Sequence, residues 1–412
     1  MEVEAGFKQT DVGIIPNDWN VTPLGQQLRR IPTYGINAPA IPFDFRFPTY
    51  LRITDITDDG RFDEASKASV SHSASASYLL EPGDLVFART GASVGKSYLY
   101  NQSDGELVFA GFLIRVSPDT KRLVPEFLKF YIQSKTYWNW IKTNSMRSGQ
   151  PGINGREYAS LPIPLPPTLA EQEAIAEALS DADALIEALE QLLAKKRQVK
   201  QGAMQELLTG KKRLPGFEKK SGYIQTEVGV IPEDWQVVTL AKVCRMKSGE
   251  SITGDNIDQF SEYPCYGGNG LRGFTNRFTH DGKYALIGRQ GALCGNVLGV
   301  SGKFFASEHA VVVTALQQTD IQWLTYVLED MNLNQYSESS AQPGLSVSKI
   351  LDLPLAIPPT KNEQTAIAEI LSDTDTEIAA LEEKLVKARQ VKQGMMSVLL
   401  TGRIRLVDHS GK

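Results

Sequence analysis

Cysteine and histidine are scarce in this chain, at three and four residues. Cys244, Cys265 and Cys294 lie in one region without Cys-x-x-Cys spacing, and His72, His280, His309 and His409 are scattered. A structural zinc site takes four paired ligands, so none is expected here, and the thiols read as reduced. No apolar run approaches the ~20 residues of a membrane span. The opening MEVEAGFKQTDVG is acidic and polar, unlike a secretory signal, and a cytoplasmic protein is expected. Excess positive charge is also lacking: the net charge is −5. Residues 1–158 hold 17 basic and 17 acidic side chains, and residues 221–342 hold 8 and 13. Any nucleic-acid contact must therefore come from local basic patches or from a partner, since global attraction is absent.

What is present first looks like a nucleotide site. FARTGASVGKSY, Phe87 to Tyr98, resembles a phosphate-binding loop, but that loop needs four residues between its first Gly and the Gly-Lys pair. Three separate Gly91 from Gly95. The loop must also open a helix whose N-terminus faces the anion, whereas Tyr98-Leu99-Tyr100 reads as strand. RQGALCGNV, Arg289 to Val297, keeps Arg-x-Gly and puts Asn296 at the place of the lysine. The element occurs twice without the chemistry of a nucleotide site.

Repetition organises the whole chain. Residues 159–210 and 351–402 align without a gap, with 32 of 52 positions identical. Upstream, QTDVGIIPNDWNVTPL from Gln9 matches QTEVGVIPEDWQVVTL from Gln225. The chain is thus built twice as opener, variable region and long shared segment. The expected divisions are a first globular domain at 1–158, a first helical region at 159–212, a second globular domain at 213–350 and a second helical region at 351–412.

Each shared segment reads as one helix with both ends marked. Thr168 with Glu171, and Thr360 with Glu363, have capping-box spacing and follow Pro-Pro pairs that cannot be helix interior. Gly210 and Gly402 are stops. About 40 residues between the marks give roughly 60 Å of helix. Gly202 and Gly394 inside it imply a bend or close packing. Ile175, Leu179, Ile186, Leu189, Leu193, Val199 and Ala203 form an apolar seam, matched by Ile367, Leu371, Ile378, Leu381, Leu385, Val391 and Met395; such a seam is that of a coiled coil. Each segment is acidic early (Glu171 to Glu190) and basic late (Lys195 to Lys200), so charge favours antiparallel pairing. The expected architecture is two unlike globular domains joined by two long antiparallel coiled-coil helices with an internal pseudo-two-fold repeat. Two unlike heads on such a rod suit the reading of a two-part DNA site, with roughly 18 base pairs in 60 Å at about 3.4 Å each. A coiled-coil scaffold whose ends bind proteins is the alternative.

The runs IPLPPTLAEQEAIAEAL and KKRQVKQGAMQELLTGKKRLPGF, echoed by AIPPTKNEQTAIAEIL and KARQVKQGMMSVLLTGRIRL, resemble the conserved regions of specificity subunits of type I restriction–modification systems. So do GVIPEDWQVVTL, YPCYGGNGLRGFTN and EPGDLVFARTGASVGK. The resemblance covers essentially the whole chain. It implies a mixed α/β fold, with two inverted target recognition domains of twisted mixed sheet and helices that read a bipartite, asymmetric double-stranded DNA site. It also implies modification subunits, two in number, that methylate adenine with S-adenosylmethionine, and restriction subunits that use ATP and Mg. The chain itself would bind no cofactor and catalyse nothing. In agreement, no Asn/Asp-Pro-Pro-Tyr/Phe tetrapeptide is present. PDTKRLVPEFLK has two residues between Glu126 and Lys129 where a nuclease centre has one.

Base readers should lie where the copies differ, on loops rich in Arg, Lys, Asn, Gln and Tyr. In the second domain these are Tyr266, Asn269, Arg272, Asn276 and Arg277, in a glycine-rich loop that permits close backbone approach. In the first they are Arg29, Arg30, Tyr34 and Lys142, followed by Arg147 and Gln150 near the start of the helical region. Arg89 and Arg289 of the repeated element either contact phosphate or brace a carboxylate. Lys96 has no basic counterpart and is specific to the first domain. Trp19 and Trp235 read as packing residues.

Overall fold

The computed structural model describes residues 4–147, 149–218, 222–291, 293–337 and 344–407. Two compact units emerge: Met1–Leu189 with Lys384–Lys412, and Glu190–Glu383. Each holds the first part of one long helix and the last part of the other. The helices run Leu169–Leu207 and Lys361–Leu399, 39 residues each.

In the first unit the opener is a hairpin, Phe7–Thr10 against Gly13–Pro16. The next strand, Asn20–Pro23, pairs antiparallel with Pro162–Leu165, directly before the Pro-Pro pair. Between them lie two four-stranded sheets. One orders Leu28–Tyr34, Leu113–Pro118, Leu85–Ala88 and Ser97–Leu99, all antiparallel. The other includes a parallel pair, Leu107–Phe109 beside Thr49–Leu51. The second unit repeats the frame with Tyr223–Thr226 against Gly229–Pro232, and Gln236–Thr239 against Pro354–Ile357. It carries one six-stranded mixed sheet, ordered Cys244–Ser248, Ala310–Ala315, His280–Gly288, Val297–Ala306, Tyr263–Gly267, Gly270–Thr275. Alternation explains the burial: Ala285, Ile287, Val311 and Val313 face the helix Ile321–Asp330, while Leu286 and Val312 join a second cluster on the opposite face.

Within each unit the long helices meet antiparallel. Ile175 and Leu179 share a core with Met396 and Leu399 in the first; Leu207 shares one with Ile367 and Leu371 in the second. Charge follows the direction the acidic and basic halves require. Lys392 Nζ lies 2.6 Å from Asp183, and Lys200 Nζ 2.6 Å from Asp375; Lys196 also pairs with Glu377. The expected seam fails at one matched place. Val199 and Val391 are half exposed, because three- and four-residue steps from Leu193 and Leu385 lead to Lys200 and Lys392 instead. These lysines lay their stems inward under Tyr326 and Phe130, their ammonium groups 5.2 and 5.4 Å from the ring centres. Gly202 and Gly394 are exposed, and an added Cβ would meet nothing within 4 Å, so close packing is not their reason.

Where a helix stops, a glycine is required. Gly210 and Gly402 have φ of 69° and 68°, a conformation costly for other residues. A Cβ at Gly210 would lie 2.7 Å from Pro232, and at Gly402 2.5 Å from Pro16, the opener prolines. Three residues on, an arginine clamps the corner. Arg213 donates to Glu363 Oε1 and Asp234 Oδ1, both at 2.7 Å, and its guanidinium lies 5.7 Å from the Trp235 ring centre. Arg405 repeats this with Glu171, Asp18 and Trp19. Glu171 and Glu363 are the capping-box residues. Their backbone N–H groups donate to Thr168 and Thr360 Oγ1 at 3.3 Å, and their carboxylates turn to the arginine from the other helix. Trp19 and Trp235 are fully buried, as packing residues should be.

The variable part of each unit is tied to the helices by shared residues. Gln172 Oε1 accepts from Val124 N–H at 2.9 Å, and Gln364 Oε1 from Asp320 N–H at 2.8 Å. Lys392 donates to Gln133 at 3.2 Å, while Lys200 lies 4.0 Å from Glu329 at the equivalent place.

Two outcomes follow. The Arg213 side chain is 4% exposed and its partner Glu363 2%, so Arg213→Ala leaves buried carboxylates uncompensated and should cost the second unit about 3–5 kcal/mol. Arg405→Ala should cost the first unit less, because Asp18 is 47% exposed; denaturant titration of the two variants checks the order. Burial lifts the Glu329 carboxyl above its ordinary range, Lys200 pulling it down and Asp375 pushing it up. A raised carboxylate pKa penalises the folded state above the unfolded value of 4.5 and not below it. Glu329→Gln should therefore raise the melting temperature at about pH 7 and leave it unchanged near pH 4, by calorimetry; a fall at neutral pH would contradict the assignment.

Candidate nucleic-acid interface

The repeated Arg-x-Gly element is the same turn in both units. Leu85–Ala88 and Ser97–Leu99 are its strands in the first, His280–Gly288 and Val297–Ala306 in the second. Ala88 N–H donates to Lys96 O and Gly95 N–H to Ala88 O; Gly288 to Asn296 O and Gly295 to Gly288 O do the same. Gly91, Gly95, Gly291 and Gly295 have φ between 74° and 91°. At Gly295 a Cβ would stand 2.4 Å from Asn334 N. The three-residue spacing is thus a hairpin requirement, and a strand follows where a nucleotide site needs a helix. Each turn is also bonded to the segment leading to the long helix: Ile153 N–H donates to Arg89 O and Leu345 N–H to Arg289 O.

Both arginines bend over the last residue of an equivalent strand. The Arg89 guanidinium lies 4.9 Å from the ring centre of Tyr34, which ends Leu28–Tyr34. The Tyr34 hydroxyl accepts from Gly155 N–H at 3.1 Å, so the platform is fixed. Arg289 Nη1 donates to Oγ of Ser248, which ends Cys244–Ser248, at 3.2 Å. Among the described residues neither arginine has a carboxylate partner, and both are half-buried. A guanidinium oriented by an aromatic or hydroxyl group and not neutralised by a carboxylate matches a phosphate or base edge.

The other expected residues divide by charge compensation. Arg29 and Arg30 both reach the fully buried Asp84 at 3.0 Å, and Arg29 also reaches Glu81 at 2.8 Å. Arg30 Nε donates to Ser117 Oγ at 2.7 Å. Lys96 pairs with Asp58 and Arg147 with Glu157, both at 2.5 Å. Lys142 is exposed in the last turn of Lys135–Asn144, and Gln150, also exposed, lies beside the Gly91 turn. In the second unit Asn269, Arg272, Asn276 and Arg277 are exposed on or beside the hairpin Tyr263–Gly267/Gly270–Thr275. Gly267 makes room for Arg272, whose Cδ would lie 2.6 Å from an added Cβ. Arg277 lies 4.7 Å from the Phe305 ring centre and 3.6 Å from Glu250. Tyr266 is half-buried, edge-on to Phe304. Sequence reasoning missed Arg245 and Lys247, both exposed on the edge strand Cys244–Ser248. The alternation in CRMKS was the signal, with both cations on one face. The three thiols are buried, and burial pushes Cys244 up to about 12 and raises Cys265 and Cys294, which makes them poor nucleophiles.

A family model described as the type I restriction modification DNA specificity domain matches residues 50–199 and again residues 232–388. The chain belongs to this family. Over 142 residues it is 48% identical to the EcoprrI type I restriction enzyme specificity subunit of Escherichia coli, a match covering 34% of this chain and 35% of that one. Along 98% of its length it is 27% identical to the putative MjaX specificity subunit of Methanocaldococcus jannaschii, covering 97% of that protein. Its fold is that of the type I S subunit from M. genitalium, with a TM-score of 0.66 at 14% identity, over 97% of this chain and 98% of that one. The specificity-domain assignment makes DNA recognition the function and sets aside the protein-binding scaffold. Specificity subunits work with DNA, methyltransferase and restriction subunits. No described helix is long and apolar enough to cross a membrane.

Arg89→Ala and Arg289→Ala should each weaken DNA binding evenly across sequences and lower the salt dependence, log K against log salt, by about 0.9. Arg29→Ala, whose charge is spent on Asp84 and Glu81, should leave that slope unchanged. Fluorescence anisotropy over a salt series separates the two; an unchanged slope for Arg89→Ala and Arg289→Ala would remove them from the interface.

Proposed function

We propose that this chain is the non-catalytic DNA-reading subunit of a type I restriction–modification complex, each variable domain reading one half of a bipartite, asymmetric site. The reading domains are assigned to residues 1–158 and 213–350, and the helical regions to 159–212 and 351–412. The observation that carries this is a single frame used twice around unlike contents. The opener hairpin, the corner clamp and the glutamine tie are repeated at matching positions, while one variable part has two four-stranded sheets and the other one of six. A common frame suits partners that are the same on both sides; different contents suit half-sites that differ.

In this reading Arg89 and Arg289 hold phosphate, setting register without sequence information. Tyr266, Asn269, Arg272, Asn276 and Arg277 offer donors and acceptors to base edges in the second domain, and Tyr34, Lys142 and Gln150 do so in the first. Helix length sets the gap between half-sites. Two modification subunits bind the frame and bring S-adenosylmethionine to adenine; restriction subunits bring ATP and Mg. All of this takes place in the cytoplasm.

The test is the genome-wide adenine methylation pattern when the chain is co-expressed with its modification subunits. Methylation confined to one split, asymmetric motif is expected. Methylation without a motif, or methyl transfer by the purified chain alone, would overturn the reading.

A further inference from the structure

Two phenylalanines stand almost fully in solvent, one in each unit: Phe45 at 89% exposure and Phe260 at 96%. They occupy equivalent positions. In the first unit Leu51 pairs in parallel with Phe109, and its carbonyl accepts from Ala110 N–H. In the second Tyr266 pairs in parallel with Ala306, and its carbonyl accepts from Ser307 N–H. Phe45 and Phe260 each precede that strand residue by six positions. Across the window aligned by this register, PFDFRFPTYL against IDQFSEYPCY, the phenylalanine is the only identity. Everything else about the two loops has diverged.

Each side chain is held out on a braced turn. Arg46 N–H donates to Asp44 Oδ1 at 3.0 Å beside Phe45, and Phe260 N–H donates to Asp258 Oδ1 at 2.8 Å. A fixed, exposed aromatic gains most from a pocket that removes it from water.

The choice of occupant follows from the repeat and from charge. The two variable domains meet different bases, so a feature they share serves something common to both sides: the duplex backbone or an identical partner subunit. The tips carry no cation free for phosphate. Arg46 is bound to Asp44 by two of its nitrogens, and the turn 257–262 that carries Phe260 holds Asp258 and Glu262 with no basic residue. A polyanion is disfavoured there, and a protein pocket rimmed by basic groups is favoured.

We propose that Phe45 and Phe260 are matched anchors, each seated in the same apolar pocket on one of two modification subunits. This rests on the function proposed above and adds the contact that places a methyltransferase against each reading domain. The test uses the full chain with its modification subunits, comparing wild type, Phe45→Ala, Phe260→Ala and the double variant. Sedimentation and calorimetry report stoichiometry and stepwise affinity. Each single variant should weaken one of the two binding steps by about 30-fold or more, the hot-spot range, and lower methylation in one half-site only. The double variant should weaken both steps, and Phe→Leu at either position should retain most of the affinity. Melting temperatures should match wild type, since both rings are already in water. Unchanged assembly in the double variant overturns the proposal. So does intact assembly with a loss of DNA affinity by the assembled complex, which would move the rings to the duplex. A wild-type complex that methylates no split motif would instead refute the underlying function, a result distinct from either.

Discussion

The corner clamp is the interaction on which the rest of the structure depends. An arginine three residues beyond the stop glycine of one long helix neutralises a buried glutamate in the first turn of the other and an aspartate of the opener, beneath a buried tryptophan. Buried charges of this kind add little net stability but strongly penalise any arrangement that leaves one unpaired. Parallel or shifted helices would strand Glu171, Glu363 and their arginines. The clamp therefore acts as a register device, and it is built twice because the sequence is duplicated. On that frame the variable residues are free to diverge, held by one buried glutamine and one lysine per unit.

The repeated Arg-x-Gly element has a related task. Its glycines close a hairpin whose backbone is bonded to the segment that leads to the long helix, so the arginine it carries leaves the same turn in both units. Arg89 and Arg289 then present guanidinium groups without a carboxylate partner among the described residues, from two domains whose sheets differ. Sequence-independent contacts belong on such constant parts and base readers on the parts that vary, which is how phosphate and base contacts divide their roles.

Helix limits, direction of pairing and the two-domain plan were legible because they rest on local signals: capping residues, stop glycines, charge halves and repeat offsets. The seam was read one step wrong at Val199 and Val391, since an apolar residue was preferred over a lysine that buries its stem. The candidate interface was less legible. Arg29 and Arg30 look like free cations in sequence, and only folding brings Asp84, more than fifty positions away, beneath them. Arg245 and Lys247 were overlooked because two alternating cations in five residues are common on exposed strands. Compensation of charge is a tertiary property, and composition cannot show it.

The central claim is that each variable region is an independent reader mounted on a frame that the chain builds twice. The most direct measurement replaces residues 25–160 with residues 241–352, so that both copies carry the second variable region. The joints fall where Leu24 N–H donates to Leu161 O and Leu240 N–H to Leu353 O, and the methylated motif is then mapped. The account predicts a motif whose two arms carry the same sequence in opposite orientation. An unchanged asymmetric motif, or identical arms in the same orientation, would contradict it.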